Sequence, residues 1–285
     1  MLLRPSRRLA PLALVLSTAL VLTACSDSRD GDGAQDRTFA PDHIHGLAEE
    51  PGTGRLLIAT HDGLFALADG DDEPTPVGDT TADLMGFTVS PDGDFHASGH
   101  PGPGEPGPSA LGLVTSDDAG LTWKNVSLGG EADFHALDAT PTAVYGVDAG
   151  VRLMRSTDSG ESWDELALPQ PVVDIAADPG SDALVVTSEA GPLLSTDAGA
   201  TFAPIAEAPV MVLVDWAEGG SLVGVDPSGQ VFTADDPGSW TSRGTVDGAV
   251  QALTTGSQGA IYVTTQDALL RSDDGGESFS TVMSY

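Results

Sequence analysis

Beyond residue 38 the apolar residues of this chain fall in short runs rather than at helical spacing. Leu56-Leu57-Ile58-Ala59, Leu184-Val185-Val186-Thr187, Val212-Leu213-Val214 and Val250-Gln251-Ala252-Leu253 are examples, each bounded by Gly, Pro, Asp or Ser. Runs of this length between turn-forming residues predict β-strands. Leu47, Phe87, Leu137 and Ile175 close four such runs, each four residues before a proline at 51, 91, 141 or 179. Continuing the phase divides residues 39–285 into six units, beginning near residues 43, 83, 133, 171, 210 and 249. About four short strands per unit is the content of a propeller blade. The expected fold is all-β, a single six-bladed β-propeller, with seven blades as the alternative count. The second unit is longer because Pro101-Gly102-Pro103-Gly104-Glu105-Pro106-Gly107-Pro108 must loop out of the sheet.

A second periodicity runs in step with the first. Segments starting at Ser116, Ser156, Ser195 and Ser272 share the form S-x-D-x-G-x-[ST]-[WF], and Thr233–Trp240 is a degraded copy with proline at the glycine position. Blade one has Asp69-Gly70-Asp71-Asp72 in that place. This pattern resembles the Asp-box, or BNR repeat, of the sialidase-like and glycosyl hydrolase-like propellers. The role it implies for Asp118, Asp158, Asp197 and Asp274 is structural, the carboxylate accepting hydrogen bonds within a tight turn. Each copy supplies too few spaced carboxylates for a calcium loop.

The N-terminus adds a compartment. Arg4, Arg7 and Arg8 precede the uncharged apolar stretch from Leu9 to Leu22, too short for an ordinary membrane span and suited to a signal peptide. Leu22-Thr23-Ala24-Cys25 resembles a bacterial lipobox, and Cys25 is the chain's only cysteine. Residues 1–24 therefore read as a lipoprotein signal peptide. Residues 25–38 read as a lipidated cysteine with a flexible acidic tether, holding a monomeric domain at the extracytoplasmic face of the cell membrane. Eleven Lys+Arg against 43 Asp+Glu give the whole chain a formal charge of −32. A surface so acidic repels phosphates, which excludes nucleic acid as a partner.

All six histidines lie between residues 43 and 135. In a propeller the first strand of a blade starts near the axis, and the turn between its second and third strands returns to the same face. His43 and His45 begin the first strand of blade one, with Asp83 and Met85 in the same phase of blade two and Asp133 and His135 in that of blade three. His61 and His100 belong to second-to-third turns. The predicted axial cluster is thus His43, His45, His61, His100, His135 and Asp133, with Asp62 and Asp83 beside it; His96 is assigned to packing. Converging imidazoles and carboxylates suit a transition metal ion, and a polar channel lining is the competing reading.

The sialidase resemblance implies three arginines for a substrate carboxylate and a Tyr–Glu nucleophile pair. Setting aside the tether and repeat positions leaves Arg55, Arg152 and Arg243, none at a first-strand start, while Tyr145, Tyr262 and Tyr285 lack an evident glutamate. Fold alone does not carry an active site. The expected function is a membrane-anchored binding propeller whose histidine-rich face takes a transition metal ion or a protein or glycan partner. The alternative is a carbohydrate-active glycosyl hydrolase without the arginine triad, with Asp62, Asp133 and Glu105 as candidate carboxylates.

Overall fold

The computed structural model describes residues 39–217 and 219–285. The signal peptide assigned to 1–24, the lipidation of Cys25 and the tether lie outside the described residues. The rest is a ring of six four-stranded antiparallel sheets, each made from four consecutive strands. The inner strands are Ile44–Glu49, Asp83–Val89, Phe134–Thr140, Ile175–Ala177, Leu213–Trp216 and Val250–Thr255. Each packs beside the next, and the sixth returns to the first. The six units read from the apolar pattern are these blades.

Neighbouring sheets press face to face, so the middle strands are covered on both sides. Leu56–Thr60 and Ile261–Thr265 are buried at every position, which is why they read as unbroken apolar runs rather than alternating ones. Between blades one and two, Leu57 and Leu64 meet Leu84, Phe87 and Phe95. Between blades six and one, Tyr262 and Leu269 join Ile44, Ile58 and Phe65. That last seam closes the ring without a shared strand. Gln251 Oε1 accepts from the Ile44 amide at 3.3 Å, Glu49 Oε1 accepts from Ser257 N at 3.0 Å, and Phe39, before blade one, packs on Tyr285, after blade six, with ring centroids 5.7 Å apart.

Three half-buried carboxyls tie the inner strands of blades three to six together. Asp138 Oδ2 accepts from Ala177 N at 2.6 Å, Asp174 Oδ2 from Val214 N at 2.9 Å, and Asp215 Oδ2 from Thr255 N at 2.5 Å. Each therefore links its blade to the next. Burial raises the pKa of all three, to about 8 for Asp138 and about 7 for Asp174.

The S-x-D-x-G segments form one repeated turn. Asp118 Oδ1 accepts from Thr122 N at 2.8 Å and from Ser116 Oγ at 2.8 Å, while Oδ2 accepts from Thr122 Oγ1 at 2.6 Å. Asp158, Asp197 and Asp274 make the same contacts. These bonds hold Asp118, Asp158 and Asp274 down to about 2. Each turn needs two consecutive left-handed residues, as at Ala119 and Gly120, with φ of 61° and 84°. Pro237 cannot take that conformation, so the degraded copy is rebuilt around Asp236, whose Oδ1 accepts from Gly238 N at 2.8 Å.

Candidate functional site

The axial mouth is shaped by irregularities in the inner strands. In blade one Ile44 pairs with Thr60 and Gly46 with Ala59, which leaves His45 as an extra, unpaired residue. Met85, His135 and Gln251 are left out of the ladder in the same way in blades two, three and six. Such bulges re-aim a side chain out of the regular pleat. They place His45, Met85, His135 and Gln251 at one level of four inner strands. His45, His135 and Gln251 line a central cavity of ≈ 610 Å³, which also takes in Asp138, Asp174 and Asp215.

His45 meets His61, delivered by the turn after Leu56–Thr60, and Asp83, the first residue of the second inner strand. His61 Nδ1 lies 2.8 Å from Asp83 Oδ1, His45 Nε2 lies 3.2 Å from the same oxygen, and the two ring nitrogens are 3.3 Å apart. Asp83 Oδ1 is buried from solvent and finds no well-directed hydrogen bond in spite of these neighbours. Ligands at 2.0–2.1 Å around a tetrahedral metal ion stand about 3.3 Å from one another. The three atoms have nearly the spacing of one face of such a tetrahedron.

His43 lies against this triad, its ring centroid 4.6 Å from that of His45 and 5.9 Å from that of His61. Gln251 fixes its tautomer. Because Gln251 Oε1 accepts from Ile44 N, its amide nitrogen faces His43 Nδ1 at 3.0 Å and donates to it, so the His43 proton sits on Nε2. His43 is an orienting neighbour, not a fourth ligand, in this arrangement. Burial lowers the pKa of both imidazoles, that of His45 to about 4, which favours their neutral forms.

A second group stands one blade further round. His135 Nε2 is 3.0 Å and His100 Nε2 3.5 Å from Asp133 Oδ2. The five predicted histidines therefore divide between two carboxylates, Asp83 and Asp133. The sequence reading had set Asp83 beside the ligand set, yet it forms the tightest contacts; its phase, four residues before Phe87, was the signal. Asp62 stays exposed at the hairpin turn. Glu105 accepts from Thr81 N, Thr81 Oγ1 and Gly102 N at 2.8, 3.0 and 3.1 Å, which staples the Pro/Gly loop. His96 is buried within its strand, at 4 % exposure, as a packing residue.

Arg55 pairs with Glu50, Arg152 with Asp148 and Arg243 with Glu277, on different blades. They make no common carboxylate clamp.

No family model and no curated protein matches the chain. Solved structures do. The chain is similar to a GH74 enzyme from Niastella koreensis, with a TM-score of 0.63 and 15% identity over 85% of this chain. It spans 45% of that enzyme's length. It is similar as well to a gluconolactonase from Xanthomonas campestris, with a TM-score of 0.63 and 15% identity, covering 80% of this chain and 84% of the other. At such identities the likeness concerns the fold, and the chain is a six-bladed β-propeller.

Proposed function

We propose that this chain is a metal-binding propeller, a binding module presented outside the cytoplasm by lipidated Cys25, with a divalent first-row transition ion held by His45, His61 and Asp83. The observation that carries this reading is the triangle of two imidazole nitrogens and a buried, unpartnered carboxylate oxygen, with edges of 2.8, 3.2 and 3.3 Å. Imidazole with carboxylate suits zinc, copper(II), nickel or cobalt over the harder calcium or magnesium. A protein or glycan partner would engage the ion by supplying a fourth ligand.

Titration of metal-stripped chain with zinc in the presence of a chromophoric chelator tests this. Saturable binding should weaken by at least about 100-fold in Asp83→Asn and in His45→Ala, since each loses a direct ligand rather than an outer partner. Equal affinity in wild type and Asp83→Asn would end the proposal.

One observation favours the carbohydrate-hydrolase reading: the cavity holds carboxyls raised to about 8 and about 7, as a glycosidase acid requires. Against it, both oxygens of Asp138 and of Asp174 already accept backbone N–H bonds. Turnover on a panel of glycosides that vanishes in Asp138→Asn while the fold persists would favour the hydrolase.

A further inference from the structure

We propose that Met85 supplies a thioether donor to the centre formed by His45, His61 and Asp83, and that copper is therefore the ion this centre selects. This rests on the reading of that centre and names its metal.

The placement follows from one strand design used three times. His43-Ile44-His45, Asp83-Leu84-Met85 and Asp133-Phe134-His135 occupy the same phase of blades one, two and three. The middle residue of each is fully buried, Ile44 and Phe134 at 0% and Leu84 at 1% exposure. Each third residue is the unpaired bulge of its ladder. With the middle side chain committed to the core, the two that flank it stand together on the axial side. In blade one the ring centroids of His43 and His45 are 4.6 Å apart, and in blade three His135 Nε2 lies 3.0 Å from Asp133 Oδ2. The same backbone in blade two sets the Met85 side chain beside the Asp83 carboxylate, whose Oδ1 is 2.8 Å from His61 Nδ1 and 3.2 Å from His45 Nε2. Gly99, paired with Leu84, leaves no room for a side chain behind them. A Cβ there would fall 1.9 Å from Asp83 O and 2.9 Å from Met85 N.

Packing does not account for Met85. Leu84 fills the seam between blades one and two, and Met85 takes no part in it. Met154 and Met283 join apolar clusters, and Met211 is buried against Gly224. Among the described residues Met85 belongs to no apolar cluster and stays half-buried, at the level of His45 and His135. A methionine in that place is a soft donor among imidazoles. Imidazole and carboxylate accept zinc, nickel and copper(II), and a thioether adds a preference for copper, above all copper(I). Its bond to copper(II) is weak and long, so a partner's donor can take its place.

The experiment compares two ions in one variant. Metal-free full-length chain in detergent is titrated anaerobically with copper(I) against bicinchoninate, with ascorbate as reductant, and separately with zinc(II) against a chromophoric chelator. Met85→Leu, nearly isosteric, should weaken copper(I) binding by more than about tenfold, since even an outer partner of a ligand is worth that much, and leave zinc binding unchanged. The copper(I) X-ray absorption spectrum should show a sulfur neighbour in wild type that Met85→Leu lacks, with Cys25 and the other methionines intact. Met85→His, which puts an imidazole at this level as in blades one and three, should bind zinc more tightly than wild type. Equal copper(I) affinity in wild type and Met85→Leu, or a sulfur signal that survives the substitution, would overturn the donor role of Met85 and leave the His45–His61–Asp83 centre standing. Loss of zinc and copper(I) to the same degree would make Met85 a structural support and overturn that role as well. Binding of both ions that is untouched by Asp83→Asn would overturn the centre itself.

Discussion

Phe134 is the residue on which core and site depend together. It is fully buried, lies between Asp133 and His135 in the chain, and stacks on Trp163 with centroids 4.9 Å apart. On its other side the ring rests on bare backbone, since a Cβ added to Gly146 would come 2.5 Å from Phe134 Cδ1. No side chain at 146 can move into the space the ring would vacate. Phe134→Ala should therefore cost about 3–5 kcal/mol, the range for deleting a buried aromatic ring whose cavity does not collapse. At about 2–4 °C per kcal/mol for a domain of this size, the melting midpoint of metal-free chain should fall by roughly 6–20 °C. Differential scanning calorimetry reads that shift. A change below about 1 kcal/mol, the level of an ordinary surface substitution, would refute the claim that the ring carries this seam.

Three other outcomes follow from the same geometry. Above about pH 4, folded Asp138 and Asp174 keep protons that an unfolded chain releases, so each lowers stability by about 1.4 kcal/mol per pH unit until its own folded value is passed. With those values at about 8 and about 7, and with the lowered histidines His43, His45 and His96 opposing only below about pH 6.5, metal-free chain should lose stability between pH 7 and 8; chemical denaturation showing a rise there would contradict this. Asp158→Asn should speed amide hydrogen exchange at Ser162, whose N–H donates to Asp158 at 2.9 Å, and leave the turn at Asp274 unchanged; uniform acceleration of both would show that the turns are not independent. Gly99 has φ of 139° and a Cβ there would fall 1.9 Å from Asp83 O, so Gly99→Ala should displace Asp83 and weaken metal uptake without touching a ligand; unaltered affinity would sink that link.

The blade count was legible because the propeller repeats one unit, so apolar runs and S-x-D-x-G turns recur in phase along the chain. Strand alternation was not legible: sheets covered on both faces leave stretches such as Leu56–Thr60 buried at every position. The histidine gathering followed from phase alone, but its division between Asp83 and Asp133 did not. That division depends on bulges at His45 and His135 and on the reach of His61 and His100, which repeat phase does not encode. Gln251 was invisible as a tautomer-fixing group because it comes from the sixth blade, 208 residues from His43, and meets it only when the ring closes. The carboxyl latches were hidden for a related reason, since Asp138, Asp174 and Asp215 stand out in a chain with 43 acidic residues only once their burial is known.

The most direct test of the metal centre is anomalous X-ray diffraction from crystals grown with zinc or copper, collected on both sides of the metal's absorption edge. The account predicts a peak within about 2.0–2.2 Å of His45 Nε2, His61 Nδ1 and Asp83 Oδ1. Crystals whose only anomalous peaks lie on the acidic outer surface, with this triad empty at saturating metal, would contradict it.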